Sequence, residues 1–236
     1  MKILIYDKIF DSNLFNGSNG TIYSPSLSDI ARISGGILYL SFNNDEEVDC
    51  IGVGNTSCTQ IIITNTDTNE ERIVNINKNV PLHNGLYTFD LIIGTNFKLQ
   101  FISQRDIYVG RLAIGKSVSI GVGRDLQFGL FTTNESRETL SGQVMPGSAG
   151  YSGRRISVTA PYQISEQIYE EFYKAYATQI SRGYPLFINF SEADLRAIPN
   201  TFERFYGKMT KQTEMILQNR ISYKRYNYNF EFKEAF

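Results

Sequence analysis

Short apolar segments separated by polar turns fill the first hundred residues of this chain. Seven are predicted as strands, at 2–6, 37–42, 48–53, 60–64, 72–76, 86–93 and 97–102. The clusters between them are rich in Asn, Asp, Ser, Thr and Gly. These residues favour turns, because their side chains bond nearby backbone or because Gly reaches positive φ. Regularly spaced short strands with such breaks predict an antiparallel sandwich or barrel.

The composition agrees with a folded, β-rich chain. Hydrophobic residues make up 42% of it, which supplies a core, and its 15 Tyr and 16 Phe are strand formers. The net charge is −1, so the basic footprint of a nucleic-acid binder is missing and no nucleic-acid partner is expected. No apolar run approaches the ~20 residues needed for a membrane span, and no secretory signal precedes the first strand.

The second half predicts a smaller α+β module, with a domain change near residue 108. Further strands are predicted at 107–114, 127–131, 139–144, 154–161, 185–190, 202–209 and 214–217. One long helix is predicted at 165–182, because Ile168, Phe172 and Tyr176 recur every four residues after Ser165, a good N-cap. We therefore expect a mainly β protein with an N-terminal antiparallel β-sandwich over 1–108 and an α+β module over 109–236.

The clearest strand pattern lies at the C-terminus. Four aromatic residues alternate with polar ones and define a predicted packing or assembly site: Tyr226, Tyr228, Phe230 and Phe232. Each buried ring contributes roughly 1.5–3 kcal/mol by leaving water. Two interpretations stay open. The strand closes the sheet of its own domain, or it lies at a sheet edge and pairs with a neighbouring subunit.

No catalytic or metal-binding constellation is visible in the sequence. The single histidine, His83, lies in a predicted turn and cannot form a multi-histidine metal cage within one chain. Two Gly-x-Gly stretches, at 52–57 and 121–126, lack the third glycine and the helix of a dinucleotide fingerprint. Ser152 is not in a nucleophile elbow. We therefore expect no enzyme, no cofactor and no metal.

The remaining charged and thiol groups are interpreted as structural. The acidic clusters at 45–47 and 69–71 are predicted to be solvated turns. The Arg154-Arg155 pair is predicted to be a solvated strand end, with contact to a partner protein as the alternative. Cys50 and Cys58 are predicted to be free and buried, since disulfides are rare in the reducing cytosol.

Several segments resemble a family of proteins. The stretch 47–56, with Asp49, Ile51, Gly52 and Gly54, resembles the strand and turn of galactose-binding-like (discoidin-type) β-sandwiches found in virion proteins of tailed phages. The stretches 97–101 and 107–115 are similar to the strands that close such a sandwich. The stretches 129–131, 141–143 and 153–155 resemble the second half of phage proteins that pair this sandwich with an α+β module.

The resemblance implies a structural role in a virion made in the cytoplasm of a bacterial host. The expected function is that of a tail, tail-tip or neck protein that assembles with copies of itself or with fibre and adaptor proteins. The alternative that it implies is a carbohydrate-binding module whose sandwich loops recognise host-surface glycan.

Overall fold

The structure, a computed structural model, is mainly β and contains two large antiparallel sheets. It describes residues 2–4, 7–13, 22, 29–76, 85–119, 126–132, 137–138, 144–145, 152–164, 170, 185–190, 204–211, 216–220 and 223–235. The predicted helix at 165–182 lies outside these residues except for Glu170, which is helical. Within the described ranges no helix reaches seven residues, and none is long and apolar enough to cross a membrane.

Sixteen strands occur in the described residues. They are β1 (Lys2–Leu4), β2 (Ala31–Arg32), β3 (Ile37–Thr56), β4 (Gln60–Asn65), β5 (Glu71–Asn75), β6 (Gly85–Ile102), β7 (Tyr108–Gly115), β8 (Ser117–Ser119), β9 (Leu126–Thr132), β10 (Arg137–Glu138), β11 (Val144–Met145), β12 (Ser152–Ile164), β13 (Leu186–Asn189), β14 (Arg204–Lys211), β15 (Ile216–Arg220) and β16 (Tyr223–Glu234). A six-stranded sheet has the order β2-β7-β3-β6-β4-β5. An eight-stranded sheet has the order β8-β1-β13-β14-β16-β12-β9, with β15 paired to β16.

Two long strands, β3 and β6, replace four of the predicted short ones. The polar clusters at 43–45 and 94–96 do not end a strand as predicted. Instead, the pairing of β3 with β6 shifts register between Ser41 and Glu46, and again between Val48 and Cys50. Unequal numbers of residues on paired strands bend the sheet locally. The polar residues therefore mark irregularities within two continuous strands, and the sequence-based division was wrong here.

The two halves of the long strands enclose one apolar core. Leu38 and Leu40 come from the first half of β3, and Ile51 and Val53 come from its second half. All four belong to a single buried cluster. The residues between them, Tyr39 and Gly52, lie outside this cluster, because successive side chains of a strand point to opposite faces of the sheet. The first half of β3 continues across the sheet into β6, β4 and β5, and the second half continues into β6 and β7.

The eight-stranded sheet packs against the second half of β3. A buried cluster joins Leu4, Cys50, Leu86, Ala113, Phe187, Tyr206 and Ala235 from both sheets. Gly52 lies on the same side of β3, and a Cβ atom there would overlap the ring of Phe187. That ring packs on Tyr206, with 4.4 Å between ring centroids. The absence of a side chain at Gly52 therefore lets the two sheets approach closely.

The sheets do not divide the chain at residue 108. β1, at the N-terminus, pairs with β13 and β8 in the eight-stranded sheet, whereas β7 pairs with β3 in the six-stranded sheet. The predicted units 1–108 and 109–236 remain a prediction about independent folding, which a fragment experiment can address.

Candidate interaction surface

One face of the six-stranded sheet carries side chains that point away from its core. We call it the outer face, and it consists of Ile37, Tyr39, Gln60, Ile62, Thr64, Glu71, Ile73, Asn75, Lys98, Gln100 and Ile102. The strand register arranges these positions in cross-strand rows. One row runs Ile73, Ile62, Gln100, Ile37, and the next runs Glu71, Thr64, Lys98, Tyr39.

The alternation of the sequence creates this face. In Leu38-Tyr39-Leu40 the two leucines are 7% and 1% exposed, whereas Tyr39 is 61% exposed. On β6, Phe97, Leu99 and Phe101 are buried, while Lys98 and Gln100 between them are half-buried. A strand places successive side chains on opposite sides of its sheet, so a period of two in the sequence becomes a core face and an outer face.

Five of the eleven residues on the outer face are apolar. Tyr39, Ile73 and Ile102 are exposed, at 61%, 59% and 37%, and Ile37 and Ile62 beside them are half-buried. Isolated apolar side chains at a surface are ordinary, but several on one contiguous face mark a contact surface. The arrangement therefore favours an interaction with another molecule over a solvated sheet.

Polar side chains lie among these apolar ones. Gln60 Nε2 donates to Asn75 Oδ1 at 2.9 Å, and Thr64 Oγ1 donates to Glu71 Oε1 at 3.4 Å. Lys98 and Glu71 bring one charge of each sign to the face, so it has no net charge. The face therefore mixes apolar side chains with hydrogen-bonded polar ones and carries few charges, and a low number of charged residues is a feature of protein-binding patches.

A hydrogen-bonded turn holds one end of the outer face. Asp67, in the turn between β4 and β5, accepts bonds from the backbone N–H of Thr95 and Asn96 and from both of their side chains, at 2.9–3.2 Å. The bonds from Asn96 and Thr95 hold the pKa of Asp67 below its ordinary value. Asn65 adds a bond from Nδ2 to the carbonyl of Ile93 at 2.8 Å. The turn is thereby fixed to the middle of β6.

The predicted C-terminal site lies on β16, which is interior to the eight-stranded sheet. β16 pairs with β12, β14 and β15. Tyr226, Tyr228, Phe230 and Phe232 stand opposite Ile164, Ala160, Val158 and Ile156 of β12. Phe232 is fully buried. The side chains of the other three lie outside what the structure describes. The packing or assembly role of the four stays a prediction.

The adjacent residues Arg154 and Arg155 have different environments. Arg154 is 5% exposed and makes a buried ion pair with Glu234, to which its Nε, Nη2 and backbone N–H all donate. Arg155 is exposed, and its Nη2 donates to Glu231 at 2.7 Å. Partial burial acts to raise the pKa of Glu231, but bonds from Arg155 and Thr210 outweigh it and lower that pKa. The prediction of a solvated pair was wrong for Arg154, which is buried.

A buried ion pair that sequence reasoning missed lies where the two sheets meet. Arg111 Nη2 donates to Asp7 Oδ2 at 2.6 Å, and both side chains are at most 7% exposed. Asp7 also accepts from the backbone N–H groups of Ile9 and Ile114, both at 3.0 Å. Burial raises the pKa of nearby Tyr206 to about 12, although Arg111 opposes the shift. No local pattern links residues 7 and 111, because the pairing depends on the assembled fold.

The other groups considered in the sequence have structural environments or lie outside the described residues. Cys50 and Cys58 are free and buried, as predicted, and burial raises the pKa of both thiols. The acidic cluster at 45–47 lies within β3 rather than in a turn, with Glu46 paired to Lys8 and Glu47 to Lys116.

The 52–57 stretch is extended strand up to residue 56. His83 and the 121–125 stretch are among the residues that the structure does not describe, and Ser152 begins β12.

The described ranges contain no group of three or more His, Cys, Asp or Glu side chains that could hold a metal ion. No family model matches the chain, and comparisons with curated proteins and with solved structures find no match either.

Proposed function

We propose that this chain is a structural component of a tailed-phage virion, a tail, tail-tip or neck protein that works by contact with other virion proteins and with copies of itself. The observation that carries the proposal is the outer face, where Tyr39, Ile73 and Ile102 are exposed on a hydrogen-bonded sheet. Such a face suits a rigid subunit that docks without rearrangement. The role is non-enzymatic, and the place of action is the virion.

The proposed fold for the six-stranded unit is a galactose-binding-like (discoidin-type) sandwich. Two features support it: the bend that brings both halves of β3 around one core, and the sequence resemblance at 47–56 and 107–115. The eight-stranded sheet would then be the β part of the proposed α+β module.

A second candidate function is recognition of a host-surface glycan. Tyr39 favours it, because an exposed ring flanked by Lys98 and Gln100 offers a stacking surface next to hydrogen-bonding groups. In this case the sheet face, rather than the sandwich loops, would hold the sugar.

Immunogold labelling tests the first candidate. Phage particles induced from the bacterial strain that encodes the chain are labelled with an antibody to it, and gold is expected on the tail or neck. Intact particles with no label, in a preparation where denatured virions also lack the chain by mass spectrometry, would refute the virion role.

Substitutions on the outer face separate the two candidates. Tyr39→Ala with Ile73→Asp should abolish incorporation of the chain into particles and leave folding intact, because both side chains are exposed. Ile30→Asp is the matched control, since Ile30 is 47% exposed and precedes β2, which contributes nothing to the outer face. A glycan array probed with the wild-type chain and with Tyr39→Ala tests the alternative. Glycan binding lost in Tyr39→Ala, with incorporation unchanged, would favour the second candidate over the first.

A further inference from the structure

β9, the last strand in the order of the eight-stranded sheet, has the features of an edge that can pair with a further strand. β9 stands at the end of the strand order and pairs with β12 through all seven of its residues. It pairs with no other strand in the described part of the chain. Its sequence, Leu-Gln-Phe-Gly-Leu-Phe-Thr, contains neither a charge nor a proline. Natural proteins use these two devices to stop a sheet edge from pairing with another chain.

Leu130 is the most exposed large hydrophobic side chain in the described residues, and it lies on this edge strand. It lies on the same face of β9 as Phe128, opposite Arg154 of β12, while Phe128 stands opposite Ile156. On this face the neighbours on β12 are buried, Ile156 at 0% and Arg154 at 5% exposure, whereas Leu130 is 77% exposed. A strand added at the edge would continue this face and remove Leu130 from water.

We propose that β9 pairs with β9 of a second copy of this chain, in antiparallel orientation, and joins the two eight-stranded sheets into one. The register that uses all seven residues is centred on Gly129. It sets Leu130 of one copy opposite Phe128 of the other, and Gln127 opposite Phe131. The proposal rests on the assembly function proposed above and names one of the surfaces through which copies meet.

The chemistry of the strand fits a second copy. Segment 126–132 itself carries no charge, so no two like-charged side chains of the strand face one another in this register. The Leu130–Phe128 contacts are apolar and occur twice by symmetry. Seven residue pairs bury less than the ~1,200 Å² of a stable interface. The isolated dimer is therefore weak and becomes important where other contacts hold copies together.

Cysteine cross-linking tests the register directly. In the proposed pair, residue 129 faces its own copy with the Cα atoms about 4.5–5.5 Å apart, within the ~4.4–6.8 Å that a disulfide spans. A Cβ at Gly129 meets no atom within 4 Å, so Gly129→Cys fits the fold. Leu130→Cys is the matched control. Residue 130 faces residue 128 of the partner, and its distance to its own copy exceeds the ~7 Å limit for bridging.

Purified Gly129→Cys, oxidised with diamide, is expected to form a covalent dimer at least tenfold faster than Leu130→Cys. The wild-type chain should form none, since Cys50 and Cys58 are buried. In sedimentation equilibrium at high concentration, Leu130→Lys should weaken self-association at least tenfold with an unchanged circular dichroism spectrum. Equal cross-linking of the two cysteine variants, or a dimer that Leu130→Lys leaves intact, overturns the proposal.

The readouts distinguish this proposal from the virion role. Cross-linking uses the isolated protein, whereas immunogold labelling and the outer-face variants report incorporation into particles. Particles that incorporate the Gly129→Cys chain but contain no 129–129 cross-link after diamide treatment would refute the β9 pairing and leave the virion role intact.

Discussion

Leu4 of β1 lies directly opposite Ser117 of β8, although the whole six-stranded sheet lies between them in the chain. The six-stranded unit is thus inserted between two adjacent strands of the other sheet, and its two ends are neighbours. A unit with its own core and adjacent ends is the arrangement that tolerates excision.

We predict that the fragment 7–116 folds alone and unfolds cooperatively on heating. It retains the core cluster of the six-stranded unit, from Ile9 to Ile114. It loses the cover over Cys50, Leu86 and Ala113 and the hydrogen bonds that Ser117 and Asn189 donate to this unit. The fragment 1–108 is the matched comparison. It lacks β7, and with it Val109, Leu112 and Ile114 of the core, so it should not fold. Dispersed amide signals in an NMR spectrum of 1–108, or their absence in 7–116, would contradict this prediction.

The buried pair between Asp7 and Arg111 predicts a pH-dependent loss of stability. Arg111→Met leaves the Asp7 carboxylate buried without its counter-charge, which typically costs about 3–5 kcal/mol. In the variant the folded-state pKa of Asp7 lies above the unfolded value of about 3.9. The folded state therefore takes up the proton first, and the loss should shrink as the pH falls from 7 to 5.

Urea denaturation at the two pH values measures this loss. The variant Asp7→Asn with Arg111→Met serves as the control, because it removes the buried charge and should recover part of the stability at pH 7. A loss for Arg111→Met that is the same at both pH values would exclude this role for the pair.

The contact between Gly52 and Phe187 predicts that the sheet interface does not tolerate an added methyl group. Gly52→Ala should destabilise the protein by about 1–3 kcal/mol, the usual cost of overpacking a filled core. Gly129→Ala makes the same chemical change where a Cβ meets no atom within 4 Å, so it should be nearly neutral. Chemical denaturation of the two variants tests the difference, and equal stabilities would show that the interface relaxes freely.

The bonds to Asp67 predict an acid-sensitive turn at the end of the outer face. Asp67→Ala should lower the Tm at neutral pH, because four bonds to Thr95 and Asn96 are lost. The folded pKa is lowered, so the carboxylate stabilises the fold above the unfolded value of about 3.9. This contribution is lost as the pH falls through the folded pKa. Melting curves of wild type and variant should therefore converge in acid. Asp45→Ala, at an exposed position, is the control, and a constant gap in Tm would contradict the prediction.

Part of the candidate surface follows from the sequence alone. The alternation at 37–42 and 97–102 assigns Leu38 and Leu99 to a core and Tyr39 and Lys98 to the opposite face, because the side-chain period of a strand is local. The C-terminal alternation likewise predicts β16. What the sequence does not indicate is that Tyr39 and Ile73 share one contiguous face, since that depends on the pairing of β3, β6, β4 and β5.

The tertiary structure decided the features that depend on distant residues. Polar residues at 43–45 and 94–96 have the composition of turns. Only the pairing of β3 with β6 shows that they mark a register shift within two continuous strands. The sequence predicts that Arg154 is a surface residue. In the fold it is buried, and Glu234, far along the chain, balances its charge. Asp7 and Arg111 meet only after the sheets pack. Period and composition therefore determined the two faces of segments such as 37–42 and 97–102, whereas long-range pairing determined which strands are continuous, which strands join and which charges are buried.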